Sequence, residues 1–100
     1  MKKYRVENLS RLYKWLVDNH MTLASCNGAI QLDHMQAWMI PCEFRNDDTG
    51  EIIEGMLLQS YKTIVSVYPY NSQIVRLGKW STTTSKHQTR FERKMLDNYY

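Results

Sequence analysis

The side chains best suited to chemistry crowd into the run WSTTTSKHQTRF at residues 80–91. Ser81, Thr82, Thr83, Thr84, Ser85, Lys86 and His87 follow one another there. Hydroxyls and backbone N–H groups opening a helix, beside a lysine and an imidazole, could hold a phosphate or carboxylate. The same hydroxyls are also a structural device, since each can satisfy an orphan N–H where a strand turns sharply into a helix. The structural reading leads, because no glycine-rich approach accompanies the run. In that reading Tyr61 or Thr63 hydrogen-bonds the corner, and His87 packs beside Phe91 to set the helix angle. Ser85 with His87 lacks a third, orienting group and is not read as a nucleophile and base.

Other reactive residues are sparse. Cys26, His34 and Cys42 do not follow a C-x-x-C or H-x-x-x-H spacing and number only three, so no metal site is expected. The cysteines read as buried free thiols acting as small hydrophobes. Asp33-His34 and Asp47-Asp48 match no metal-nuclease pattern. No catalytic residue, metal or cofactor is assigned, and the chain is read as a non-enzyme.

Binding chemistry is better represented. At helical spacing, Lys86, Arg90, Arg93 and Lys94 share one face, broken only by Asp97, while Gln88, Phe91, Met95 and Tyr99 line the other with Leu96 at the edge. A one-sign face is either plain solvated surface or a contact for an anionic partner. Trp38, Tyr68, Tyr70, Trp80, Tyr99 and Tyr100 are too many to be all deep core in so small a domain. Exposed rings would serve a protein interface or stack on bases. Tyr70 and Trp80 join the four cations as the contact set.

The elements that must position these residues follow from periodicity. One hundred residues make one domain, and 43% hydrophobic content with twelve aromatics argues for a folded globule. The net charge of +3 permits an anionic partner without requiring one. No apolar run approaches the ~20 residues of a membrane span. The charged start MKKYRVENLSRLYKW lacks a signal peptide's apolar core, so a cytoplasmic protein is expected.

Residues 8–20 have helical periodicity, with Asn8 as N-cap and Leu9, Leu12, Tyr13, Leu16, Val17 and His20 on one arc. Trp15 at its flank is expected to seal the helix against a sheet. Asn27-Gly28 between two short runs predicts a hairpin with a type I′ turn. Pro41 within AWMIPCEF predicts an edge strand or a bulge. EIIEGMLLQ returns to pair with that strand, and Gly55 marks a bulge or a close backbone approach. YKTIVSVY against QIVRLGKW makes a third hairpin, read as the most secure sheet element. Ser85 and Gln88 have capping-box spacing.

The motif SYxTxV followed by WSxTTxKH, carried here by Ser60, Tyr61, Thr63, Val65, Trp80, Ser81, Thr83, Thr84, Lys86, His87 and Phe91, resembles a family of small proteins of unknown function. Its members occur in bacteriophages, in prophages and plasmids of Gram-positive bacteria, and in archaea. The match covers residues 56–92. The resemblance implies a mobile-element origin and no known reaction.

The expectation is a single α+β domain over residues 1–100. It has a mainly antiparallel sheet of about five to six strands, with an N-terminal and a C-terminal helix packed on it. The leading functional expectation is a non-catalytic, phage-type interaction protein. It would inhibit a host protein or protein–nucleic-acid machine, for instance as an anti-CRISPR-like inhibitor of a defence complex. The alternative is a nucleic-acid-binding regulator using the basic C-terminal helix. A homodimer is compatible with either, and no membrane partner is expected.

Overall fold

The computed structural model describes residues 6–98. Its elements are α1 (Ser10–Asp18), β1 (Met21–Cys26), β2 (Ile30–Gln31), β3 (Ala37–Asn46), β4 (Ile52–Ser60), β5 (Thr63–Pro69), β6 (Val75–Arg76) and α2 (Thr82–Asn98). The six strands form one sheet in the order β1-β3-β4-β5-β6, with β2 also on β3, and all its strand pairs are antiparallel. This is the expected α+β fold with a helix at either end. Tyr99 and Tyr100 lie outside the described residues.

The two helices cover opposite faces of the sheet. Side chains alternate across a strand, and β3 sends Ile40, Cys42 and Phe44 into a cluster with Leu12 and Leu16 of α1. Its Ala37 and Met39 join a second cluster with Phe91 and Met95 of α2. On β5, Ile64 and Val67 face α1 while Val65 faces α2, a switch produced by one extra residue where the register shifts opposite Leu58 and Gln59.

Along α1 the buried stripe is narrower than the sequence arc and rotated toward Trp15. Leu12 and Leu16 are buried, but Tyr13 and Val17 are 53% and 74% exposed. Trp15 takes their place, meeting Phe44 edge-on with ring centres 6.1 Å apart. Asn8 supplies the expected capping chemistry: its Oδ1 accepts from the Ser10 N–H at 3.2 Å, while Leu9 holds the N-cap position.

The Asn27-Gly28 hairpin does not form. β1 and β2 both pair with β3 and run collinearly as one interrupted edge strand, and neither Asn27 nor Gly28 has positive φ. Pro41 explains the interruption. Its carbonyl accepts from the Asn27 N–H at 2.8 Å, so its ring nitrogen faces the same neighbour and cannot return a hydrogen bond. β1 therefore ends beside Pro41, while the opposite edge of β3 pairs with β4 without a register break from Ala37 to Arg45. Pro41 thus sits in an interior strand, free of a bulge, with its missing donor turned toward the gap at residues 27–29.

Gly55 is a close backbone approach. A Cβ there would lie 2.5 Å from the Tyr68 carbonyl oxygen and 2.5 Å from the Phe44 ring. The most extensive pairing is β3 with β4, whereas β6 contributes only two residues to the third hairpin. The tight link from β4 to β5 places Tyr61 at φ 54°, a left-handed position reached without glycine or asparagine.

Candidate interaction surface

Besides the exposed ion-paired turn at His20, Thr22, Asp47 and Asp48, three places gather polar side chains, each of a different character. The first is the corner where the end of β4 meets the start of α2. The Ser60 hydroxyl lies 2.8 Å from His87 Nδ1 and 3.1 Å from Thr84 Oγ1. Ser81 Oγ accepts from the Thr84 N–H at 3.1 Å and so caps the helix, one of the five hydroxyls expected to be able to do so, while Ser85 of the capping-box spacing lies inside the helix. Tyr61 lies against the His87 ring with centres 5.6 Å apart. One turn on, Gln88 donates to the Val65 carbonyl at 3.0 Å and Phe91 is fully buried.

Ser60, Thr84 and His87 are each at most 5% exposed. Burial lowers the His87 pKa, so the imidazole stays neutral and one ring nitrogen can accept while the other donates. The corner is thus a buried lock holding α2 to the sheet. Its hydrogen-bonding atom on the strand is Ser60 Oγ, rather than Tyr61 or Thr63. Thr63 is half-buried and pairs with Ser60 through the strand register, and Thr83 points outward. A serine within hydrogen-bond reach of a histidine is a juxtaposition that sequence reasoning missed, because the partners are 27 positions apart.

The second place is the outer face of α2. Arg90 Nε donates to Asp33 Oδ2 at 2.5 Å and Lys94 Nζ to Asp33 Oδ1 at 3.0 Å. These two cations hold the Asp33 carboxyl below its usual range, Arg90 contributing most. Arg76 grips Glu92 through two bonds of 2.6 and 2.9 Å and reaches Thr89 Oγ1 at 3.1 Å. Of the four cations expected to act together, Lys86 and Arg93 have no ion pair among the described residues. Asp33, brought in by the β2–β3 turn at φ 52°, divides the face. Trp80, 37% exposed, lies beneath Arg11, whose guanidinium carbon is 5.5 Å from the ring centre. It therefore joins the α1 end of the molecule and not the cationic face.

The third place is the part of the α2-side sheet face that α2 leaves bare. A groove of about 680 Å³ opens there. Pro41 and Met56, register partners on β3 and β4, form its floor. Ser25, Asn27 and Ile30 make one rim and Tyr70 the other. Tyr70 is half-buried, packed edge-on against Tyr68 at 5.1 Å. Glu43 and Glu54 face each other directly across the strands, so both carboxylates enter the groove from one side of the sheet. Ser25 Oγ donates to Glu43 Oε1 at 2.9 Å. No cation pairs with either glutamate among the described residues. Like charges placed opposite each other oppose folding, and the Ser25 hydroxyl offsets this only on the Glu43 side. Its only sequence signal was strand register, which brings together residues 11 apart in CEF and IIEG.

None of the three places holds a set of three His, Cys, Asp or Glu side chains able to bind a metal, among the described residues. No helix among them is long and apolar enough to cross a membrane. What the fold and surface define is a small α+β domain with a helix on each face of an antiparallel sheet and one partly bare, acidic sheet groove. The chain belongs to a family of unknown function, DUF8033, whose model matches residues 4–99. The match extends well beyond the C-terminal half that carries the sequence motif. No curated protein and no solved structure matches the chain.

Proposed function

We propose that this is a non-catalytic interaction protein that uses the bare sheet groove to cover a basic segment of a protein partner. The observation that carries the reading is the Glu43–Glu54 pair, opposed across the strands without a cation among the described residues. An arginine or lysine of a partner placed between the carboxylates would relieve their repulsion and gain charge-assisted hydrogen bonds. Met56, Pro41 and Tyr70 offer apolar surface to the aliphatic stem of such a side chain.

Proteins that handle nucleic acids present arginine and lysine on their working surfaces. A groove of this chemistry suits occlusion of such a surface. With the motif's resemblance to mobile-element proteins, this supports an inhibitor of a host protein–nucleic-acid machine, a defence complex among them. The buried Ser60–His87–Thr84 lock supports the non-catalytic part, since its polar atoms face one another inside the fold.

The regulator reading rests on Lys86 and Arg93, which border a shallow depression along α2 with Thr82, Ser85 and Thr89. Two cations without an ion pair among the described residues support only weak, salt-sensitive contact with phosphates. The experiment that separates the readings is capture from lysate of Gram-positive bacterial cells, with and without nuclease. A protein partner retained after nuclease treatment and lost on Glu43→Gln with Glu54→Gln supports occlusion. Capture that disappears with nuclease shifts the function to α2.

A further inference from the structure

The two cysteines, distant in sequence, are register partners. Cys26 at the end of β1 lies directly across from Cys42 of β3. The Asn27 N–H to Pro41 carbonyl bond, 2.8 Å, makes 27 and 41 the hydrogen-bonded position of the ladder. The cysteine pair next to it therefore occupies a non-hydrogen-bonded position. At such positions opposed Cα atoms approach to about 4.5 Å and side chains come closer than elsewhere in a sheet. That separation falls within the range of about 4.4–6.8 Å that a disulfide spans. Cys26 is exposed at the sheet edge, while Cys42 is buried in the α1-side cluster. One sulfur is open to a reagent and the other waits behind it.

We infer that Cys26 and Cys42 form a cross-strand disulfide when the protein meets a small-molecule disulfide oxidant, and that this bond clamps the rim of the sheet groove. The chemistry balances as two exchanges. The Cys26 thiolate attacks one sulfur of an oxidant such as oxidised glutathione, forming a mixed disulfide and releasing one glutathione thiolate. The Cys42 thiolate then attacks the Cys26 sulfur and expels the second. Each protein thiol gives up one proton and one electron, and the oxidant is reduced to two thiols. Burial raises both pKa values, Cys42 to about 12 with Cys26 and Glu43 adding to the effect. The thiols are therefore slow nucleophiles at neutral pH, and the order of attack follows from exposure.

The structural consequence falls on β1. It is an edge strand, its pairing with β3 shifts register between Leu23 and Ser25, and it ends beside Pro41. Ser25 and Asn27, on either side of Cys26, form the groove rim. A bond from Cys26 to the interior strand would hold that rim in place. This inference stands on register and exposure and does not depend on what the groove binds.

The test is to incubate the native protein with excess oxidised glutathione at mildly alkaline pH and analyse it without reduction. The expected product has lost two hydrogen atoms and yields a proteolytic peptide pair joined through residues 26 and 42. Cys42→Ala should instead stop at one glutathionyl group on Cys26, and Cys26→Ser should remain unmodified. Hydrogen exchange of the wild-type protein should slow through β1 on oxidation. A stable glutathionyl adduct on wild-type Cys26, or a Cys26–Cys26 dimer, would overturn the inference. So would a joined peptide pair that forms only in denaturant.

Discussion

At the level of single residues, His87 and Ser60 connect the helix corner to the sheet, and their chemistry sets a pH dependence. Burial places the His87 pKa below its unfolded value of 6.5. The unfolded chain therefore takes up the proton first as pH falls, and stability is lost below about pH 6.5 down through the folded pKa. Thermal melts from pH 8 to pH 5 should show this decline, and His87→Gln should flatten it. A wild-type profile no steeper than the variant's would remove the neutral imidazole from the account. Ser60→Ala leaves His87 Nδ1 and Thr84 Oγ1 without their strand-side partner, for an expected loss of about 1–3 kcal/mol in denaturant unfolding. Gly55→Ala drives a methyl against backbone that cannot yield at the Tyr68 carbonyl, and about 1–3 kcal/mol is again expected. The sequence showed that Gly55 was special, but the crowding belongs to a neighbouring strand. Likewise it singled out His87 and Thr84, but the partner Ser60 became identifiable only once β4 ended beside α2.

At the level of elements, α2 carries its cations in a divided state. Asp33 engages Arg90 and Lys94, leaving Lys86 and Arg93. Binding of the isolated protein to duplex DNA should therefore fall with salt at a log–log slope of about −2 or shallower. Asp33→Ala should steepen that slope by releasing two cations. A wild-type slope near −4 would show that Asp33 does not restrain them. Helical period revealed the basic face because it is a local property. The turn that brings in Asp33, 57 positions before Arg90, has no local signal.

The same contrast explains the strands. Short apolar, β-branched runs bounded by turn residues identified β3, β4 and β5, whereas the Asn27-Gly28 signal pointed to a hairpin. What prevails there is tertiary: β3 offers a full-length partner on that side, and Pro41 breaks the ladder opposite Asn27. A local turn preference of this kind is outweighed by pairing with a long, buried strand. For α1, the sequence arc was right in period and slightly wrong in phase, because Trp15 fits against Phe44 and turns Tyr13 and Val17 outward.

For the whole molecule, two helices on opposite faces of one sheet leave a single broad question of coverage. α2 crosses the β4 and β5 side and stops short of Glu43 and Glu54. The groove sets Glu43 and Glu54 opposite each other with no cation on either among the described residues, and the proposed partner contact rests on that pair. The most direct test measures stability and capture in one variant, Glu43→Gln with Glu54→Gln. Removing the repulsion should leave the melting temperature unchanged or raise it, by up to about 1 kcal/mol of added stability. The same variant should lose a nuclease-resistant protein partner that the wild-type protein captures. Retention of that partner by the variant, or a loss of capture that merely follows a fall in melting temperature, would contradict the groove as the working surface.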